Sequence, residues 1–83
     1  MTFKDLKFEP HPAGGIRAVV EFPNHYGASV VTGPYFYGRS DAPYELAVMY
    51  EGKICYTSGL TDDVLGYLTE DEVTEYLKLI EKL

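Results

Sequence analysis

The sequence predicts an α+β protein in which a mostly antiparallel sheet of four strands is covered on one face by a C-terminal helix. Three observations lead to this class. Apolar and polar residues alternate in segments of the first 60 residues, Pro- and Gly-containing turns separate those segments, and apolar residues recur at helical spacing near the C-terminus. The length of 83 residues and the 46% hydrophobic content are typical of a single compact domain, residues 1–83.

The first predicted hairpin follows an irregular opening. Prolines and adjacent glycines in residues 10–15 interrupt regular structure, so the opening is predicted to be a short extended piece and a loop. Residues 16–22 form the first predicted strand, residues 23–27 turn the chain, and β-branched residues return in 28–32. The first strand places on one face Ile16, Ala18, Val20 and Phe22, and on the other Arg17, Val19 and Glu21.

The second predicted hairpin contains the one cysteine of the chain. Residues 44–50 alternate again, and Glu51 and Gly52 are predicted to form a two-residue turn into residues 53–57. Cys55 cannot form an internal disulfide, which fits a reducing cytoplasm. A nucleophilic thiol needs a His or cationic neighbour to activate it, so we expect an inert, partly buried side chain instead.

The strongest local signal is a helix start. Thr69-Glu70-Asp71-Glu72 is a capping box, in which the Thr69 hydroxyl accepts from the backbone N–H of Glu72 and the Glu72 carboxylate reaches back to the backbone of Thr69. The pattern predicts a helix over residues 70–82. Its apolar stripe is predicted to lie on the sheet and consists of Val73, Tyr76, Leu77, Ile80 and Leu83.

A second, weaker helix start is predicted at residues 61–63. A single helical turn would continue through Leu65 and end at Gly66. Asp62 and Asp63 could also be a carboxylate pair for acid–base chemistry, but adjacent helical residues point in different directions. Helix capping is therefore the preferred interpretation of this pair.

The charge of the chain excludes several classes of function. Its 13 acidic and 7 basic side chains give a net charge of −6, and the bases are scattered, so direct binding to nucleic acid is not expected. No segment has the ~20 apolar residues of a transmembrane helix, and residues 1–7 lack the apolar core of a signal peptide. We therefore expect a cytoplasmic protein without a membrane partner.

The excess of acid lies in the predicted helical tail. Residues 61–83 contain seven acids and two bases, whereas residues 1–60 contain six acids and five bases. Such a helical face is usually solvated. It could also imitate the phosphates of a nucleic acid in the basic groove of another protein, and both interpretations stay open.

No catalytic set and no cofactor site are predicted. His11 and His25 lie in predicted loops, and they lack the spacing of a metal-binding motif. Gly14 and Gly15 precede a strand, whereas a phosphate-binding loop requires a helix N-terminus after its glycines. We therefore predict that the protein is not an enzyme and holds no metal or cofactor.

The best functional candidate is the connection between the second and third predicted strands. The connection, residues 33–44, is longer than a hairpin turn requires. It combines aromatic rings and an arginine with Gly, Ser and Pro. Tyr and Arg are enriched in binding hot spots because they offer a large contact area together with directional hydrogen bonds. The candidate partner-binding residues are Tyr35, Phe36, Tyr37, Arg39 and Tyr44. Alternatively, Tyr35 and Tyr37 extend the second strand beyond a Gly-Pro bulge and cover the sheet.

Three segments carry a resemblance to other proteins: residues 21–31 (EFPNHYGASVV), 44–48 (YELAV) and 61–70 (TDDVLGYLTE). In these segments the chain resembles a group of small uncharacterised bacteriophage proteins, and the similarity extends from about Leu6 to the end. That group has no assigned activity, so the resemblance implies no functional residues. It implies an intracellular protein that is made during infection and belongs to a class that often binds host or defence components.

Together these features predict a non-enzymatic phage-type accessory protein that binds another protein through the aromatic-rich connection, the acidic helix or both. Two alternatives stay open. The uncovered sheet face or an edge strand could pair in a homo-oligomer. Protomers could also build a small-ligand pocket, for a nucleotide-like molecule, from tyrosine rings and Arg39.

Overall fold

A computed structural model describes residues 1–34, 40–59 and 64–83 of the chain. Within these residues a sheet of six strands precedes a C-terminal helix, which confirms the predicted α+β class. The elements are β1 (Glu9–Pro10), β2 (Ile16–Glu21), β3 (Tyr26–Thr32), β4 (Tyr44–Tyr50), β5 (Lys53–Ile54), β6 (Leu65–Leu68) and α1 (Glu70–Glu81). A 3-10 helical turn, Phe3–Asp5, precedes β1.

The described strand pairs are all antiparallel, as predicted. β1, β2, β3 and β4 lie side by side in chain order, and β5 and β6 pair with the two ends of the remaining edge of β4. Glu51 and Gly52 have positive φ angles of 50° and 83°, which are typical of the two-residue hairpin turn predicted there. The sheet has two strands more than the four predicted. The two hairpins pair through β3 and β4, and the short strands β1 and β6 are added to them.

β6 occupies the place where the sequence predicts the end of a helical turn. Leu68 is buried and Leu65 packs against the core, and both are paired with β4. The pairing is irregular, and Tyr67 adopts a positive φ of 57° within it. The prediction of a helical turn is wrong at residues 65–66, because packing of two leucines beside β4 outweighs a weak local signal. Residues 61–63, the predicted start of that turn, lie outside the described residues.

The core lies between α1 and one face of the sheet. Ala18 of β2 is buried, and Val20 and Phe22 pack against the core, as the predicted alternation requires, whereas Ile16 at the start of the strand is 40% exposed. The fully buried large side chains come from the sheet and from α1: Val30, Leu46, Val48, Val73, Leu77 and Ile80. The predicted helical stripe is thus confirmed, except that Leu83 lies beyond the end of α1 and is 38% exposed.

Both ends of α1 are held by side chains. At its start the predicted capping box is present, since the N–H of Glu72 donates to Oγ1 of Thr69 at 3.2 Å and the N–H of Thr69 donates to the Glu72 carboxylate at 2.9 Å. At its end Asn24, from the turn between β2 and β3, contacts the last turn of the helix. The first hairpin and α1 therefore have a fixed relative position.

Candidate functional site

Tyr44 is the predicted partner-binding residue that the structure describes. Its ring centroid lies 4.8 Å from that of Phe3 and 6.1 Å from that of Phe8, so it belongs to an aromatic cluster at the 3-10 turn. Burial raises the pKa of the Tyr44 hydroxyl, and the nearby Glu70 carboxylate adds to the shift. This ring helps to build the fold, and its role in partner binding stays a prediction. The other predicted anchors lie outside the described residues: Tyr35, Phe36, Tyr37 and Arg39.

The two ends of the aromatic-rich connection are attached to the sheet. Thr32, the last residue of β3, donates a hydrogen bond from Oγ1 to the carbonyl oxygen of Pro43 at 2.8 Å. Ala42 is 5% exposed. Gly33 has a φ of 151°, a conformation that glycine adopts without steric cost. The connection therefore leaves and rejoins the sheet at a defined place, between the end of β3 and the start of β4.

The sheet face turned away from α1 is called the outer face. By strand alternation and pairing it carries Glu9, Arg17, Val19, Glu21, Ser29, Val31, Glu45, Ala47, Met49 and Ile54. Val19 is 55% exposed and Ile54 is 49% exposed. Val31 and Ala47, also on this face, are each only 8% exposed. The outer face therefore combines exposed apolar side chains with a few charges.

A depression of about 80 Å³ interrupts the outer face at a glycine of β3. Its lining includes Val19, Glu21, His25, Gly27 and Met49. A Cβ atom at Gly27 would overlap the carbonyl oxygen of Val20. The close approach of β2 and β3 at this point is possible because Gly27 has no side chain.

The outer face continues into a groove at the edge of β2. The groove has a volume of about 400 Å³, and its lining is Lys7, Glu9, Pro10, Arg17 and Val19. β1 pairs with β2 at Ile16 and Arg17. Beyond Arg17, none of the described strands pairs with β2 on that side, so among the described residues this part of its edge is unpaired.

The charges of the described residues are divided between two sides of the molecule. On the helix side, seven exposed charged residues lie in α1 and just after it, five acids and two bases: Glu70, Asp71, Glu72, Glu75, Glu81, Lys78 and Lys82. The outer face and its groove have three acids and two bases: Glu9, Glu21, Glu45, Lys7 and Arg17. The outer face is therefore closer to electrical neutrality, and the role of the acidic helix as a phosphate mimic stays a prediction.

The two histidines and the cysteine are in separate places. His11 accepts a hydrogen bond at Nδ1 from the N–H of Ala13 at 3.0 Å, in the loop before β2. His25 is exposed in the turn between β2 and β3. Cys55 is half-buried and packs against the core, as the sequence predicts. Within residues 1–34, 40–59 and 64–83, no group of three His, Cys, Asp or Glu side chains is placed to hold a metal ion.

Sequence reasoning considered the uncovered sheet face only as an alternative, for self-association, and named none of its residues as contact residues. A signal was present, because the alternation of β2 already places Val19 between Arg17 and Glu21 on the polar side of the strand. An apolar residue at such a position is either covered by another element or exposed. The sequence around Ile54 gave no comparable signal. Only its pairing with Met49 of β4 shows that Ile54 lies on the outer face.

Comparisons with known proteins do not assign this chain to a family. No family model, curated protein or solved structure matches this chain. In the described part of the chain, no helix has the length and apolar composition needed to cross a membrane. The surfaces described above are therefore the basis for a functional proposal.

Proposed function

We propose that this chain is a non-enzymatic, phage-type accessory protein that acts by binding another protein, and that the outer face of the sheet is its contact surface. One observation carries the proposal: Val19 and Ile54 are exposed on a sheet face that α1 does not cover. Removing apolar surface from water favours association by about 25 cal/mol per Å². A partner that covers this face gains that contribution.

The outer face suits a protein interface better than the helix side does. Interface centres contain few charged residues and are enriched in apolar residues, Met and Arg. The outer face has Val19, Met49 and Ile54 with Arg17 beside them. The helix side exposes five acids, which would have to lose their hydration in a buried contact.

The aromatic-rich connection is proposed as an additional set of anchors. Its base is held by the hydrogen bond between Thr32 and Pro43, close to the end of the outer face where Val31 and Glu45 lie. Aromatic residues and arginine are enriched in binding hot spots, so this connection is proposed to contribute contacts to the same partner. The anchors proposed here are Tyr35, Phe36, Tyr37 and Arg39.

The test is capture of a partner with matched variants. Tagged wild-type protein, Val19→Glu and Leu79→Glu are produced in the natural host during infection, and co-purifying proteins are identified and then tested again with purified components. Leu79 is 44% exposed on α1, so Leu79→Glu places the same charge on an exposed apolar position away from the outer face. We expect one protein to bind the wild type and Leu79→Glu but not Val19→Glu.

Two outcomes would contradict the proposal. If no specific protein is recovered with the wild type, and the purified wild type does not associate with itself either, the binding function itself is wrong. If the same partner binds all three proteins equally, the outer face is not its contact surface. Circular dichroism of each variant shows whether a loss of binding reflects unfolding.

A further inference from the structure

We infer that the occupant of the outer face is a second copy of this chain, packed face to face in a two-fold symmetric dimer. The inference rests on the proposed function, because it names the partner at the same surface. Two sheets that pack in this way form a sandwich with their inner faces about 10 Å apart. Three independent features of the described residues favour this partner.

The first feature is the charge pattern of β2. Arg17 and Glu21 lie on either side of Val19 on the outer face, each about 7 Å away along the strand. A two-fold axis that passes through Val19, in the plane of the interface and across the strand, brings Arg17 opposite Glu21 of the partner subunit. The same operation brings Glu21 opposite the partner subunit's Arg17. The pattern within β2 is therefore complementary to itself, and Glu9 of β1, which lies beside Arg17 in register, adds one further acid to each pair.

Both charges are available for such pairs. Arg17 and Glu21 are exposed, and neither forms an ion pair with another described residue. The same two-fold axis brings Val19 against Val19 of the partner subunit, which covers a side chain that is 55% exposed in the single chain. Opposite charges on both sides of an apolar contact fix its register and exclude shifted arrangements.

The second feature is the position of the remaining charge. The chain has a net charge of −6, so two copies repel each other unless their acids are far apart. In a dimer formed by the outer faces, each α1 lies on the outside, and the two helices are about 30 Å apart, several times the Debye length of about 8 Å. A dimer formed through α1 would instead bring five acids of each copy together.

The third feature is the size of the face. Four strands at about 4.8 Å spacing and about 20 Å length give at most roughly 400 Å² of flat area per copy. Val31 and Ala47 on this face are already buried in the single chain, at 8% exposure each, so the area open to a second copy is smaller. Stable interfaces bury about 800 Å² per partner, so this contact suits a weak, concentration-dependent dimer. The expected behaviour is therefore a reversible equilibrium between one and two chains.

Sedimentation velocity tests this equilibrium directly. Between about 10 μM and about 1 mM, where weak complexes form, we expect the mass to rise from 9.3 kDa toward twice that value. Val19→Glu and Leu79→Glu are a matched pair of exposed apolar positions, on the outer face and on α1. We expect Val19→Glu to raise the dissociation constant about tenfold or more, because Val19 faces its own copy across the two-fold axis, and Leu79→Glu to leave it unchanged.

A charge exchange tests the register. Arg17→Glu and Lys78→Glu change the net charge equally, but only Arg17 lies on the outer face. We expect Arg17→Glu alone to be monomeric and Lys78→Glu to dimerise like the wild type. The double variant Arg17→Glu/Glu21→Arg restores both pairs, so we expect it to dimerise again, which a variant that merely misfolds would not do.

Each contrary result has a defined meaning. A wild type that stays monomeric at the highest concentration overturns the dimer, whereas the proposed function stands if that monomer still binds a different protein that Val19→Glu fails to bind. A dimer that tolerates both Val19→Glu and Arg17→Glu is formed by another surface. A dimer that is sensitive to Arg17→Glu but not to Val19→Glu is formed by the edge of β2. The last two results also overturn the inference.

Discussion

The side-chain amide of Asn24 donates a hydrogen bond to the main-chain carbonyl oxygen of Ile80 at 2.9 Å. The same amide reaches the carbonyl oxygen of Leu83 at 3.0 Å, and Oδ1 of Asn24 accepts from the N–H of Tyr26 at 3.0 Å. The last carbonyl groups of a helix have no partner within the helix, and they form the negative end of its dipole. One side chain therefore joins the first hairpin to the end of α1.

Replacing Asn24 should destabilise the fold. Asn24→Ala removes the donor and the acceptor, so we expect the free energy of unfolding to fall by about 1–2 kcal/mol. Asn24→Asp should cost more, because a carboxylate cannot donate and is repelled by the carbonyl end of the helix. Urea unfolding at neutral pH measures both changes. His25→Asn, at the next and exposed position, is the control, and a smaller loss for Asn24→Asp than for Asn24→Ala would contradict this account.

The capping box of α1 gives a second stability prediction. Thr69→Ala removes the oxygen that accepts from Glu72, and we expect a loss of about 1 kcal/mol in the free energy of unfolding. Thr69→Ser keeps that oxygen and should retain most of the stability. Thermal unfolding of the three proteins gives the comparison. Equal losses for Ala and Ser would show that the hydroxyl has no capping role.

Local signals were sufficient to predict the two hairpins and α1. The capping box depends on residues three positions apart, and the strand alternation of β2 depends on residues two positions apart, so both can be read from neighbours in the sequence. The Glu51-Gly52 turn is local in the same way. Each of these elements was predicted from residues that contact each other within one hairpin or one helix.

β6 and the position of Tyr44 could not be predicted in this way. β6 is a strand because it pairs with β4, which lies some twenty residues earlier in the sequence, and its own four residues show no alternation. Tyr44 was predicted to be a loop anchor, and it contacts Phe3 and Phe8 from the N-terminal end of the chain. The set of residues on the outer face likewise depends on the register between strands, which cannot be read from neighbouring residues in the sequence.

The hydroxyl of Tyr50 should titrate at an unusually high pH. Repulsion by the Glu51 carboxylate raises the pKa of Tyr50 above the ordinary 10.0, and slight burial and a hydrogen bond to Glu51 act in the same direction. We expect Glu51→Gln to lower the pKa of Tyr50 toward 10.0, as measured by the NMR shift of its ring carbons against pH. An unchanged pKa in Glu51→Gln would refute this cause.

The raised pKa of Tyr50 also makes the stability of the fold depend on pH in the alkaline range. The folded state holds the Tyr50 proton more tightly than the unfolded state does, so the contribution is complete below pH 10.0 and is lost as the pH rises through the folded-state pKa. Stability of the wild type should therefore decline in this alkaline range. Tyr50→Phe removes the titrating group and should show a smaller decline when urea unfolding is repeated across that range.

Gly27 should be the glycine of the sheet that tolerates substitution least. A Cβ atom there would overlap the carbonyl oxygen of Val20, so Gly27→Ala must push β2 and β3 apart, at a cost of about 1–3 kcal/mol or more. Gly52→Ala is the control, because nothing lies within 4 Å of a Cβ at Gly52 and only its φ of 83° opposes the change, at about 1 kcal/mol. Urea unfolding decides the order. A larger loss for Gly52→Ala would mean that β2 and β3 separate without cost, and that the depression at Gly27 does not depend on their close approach.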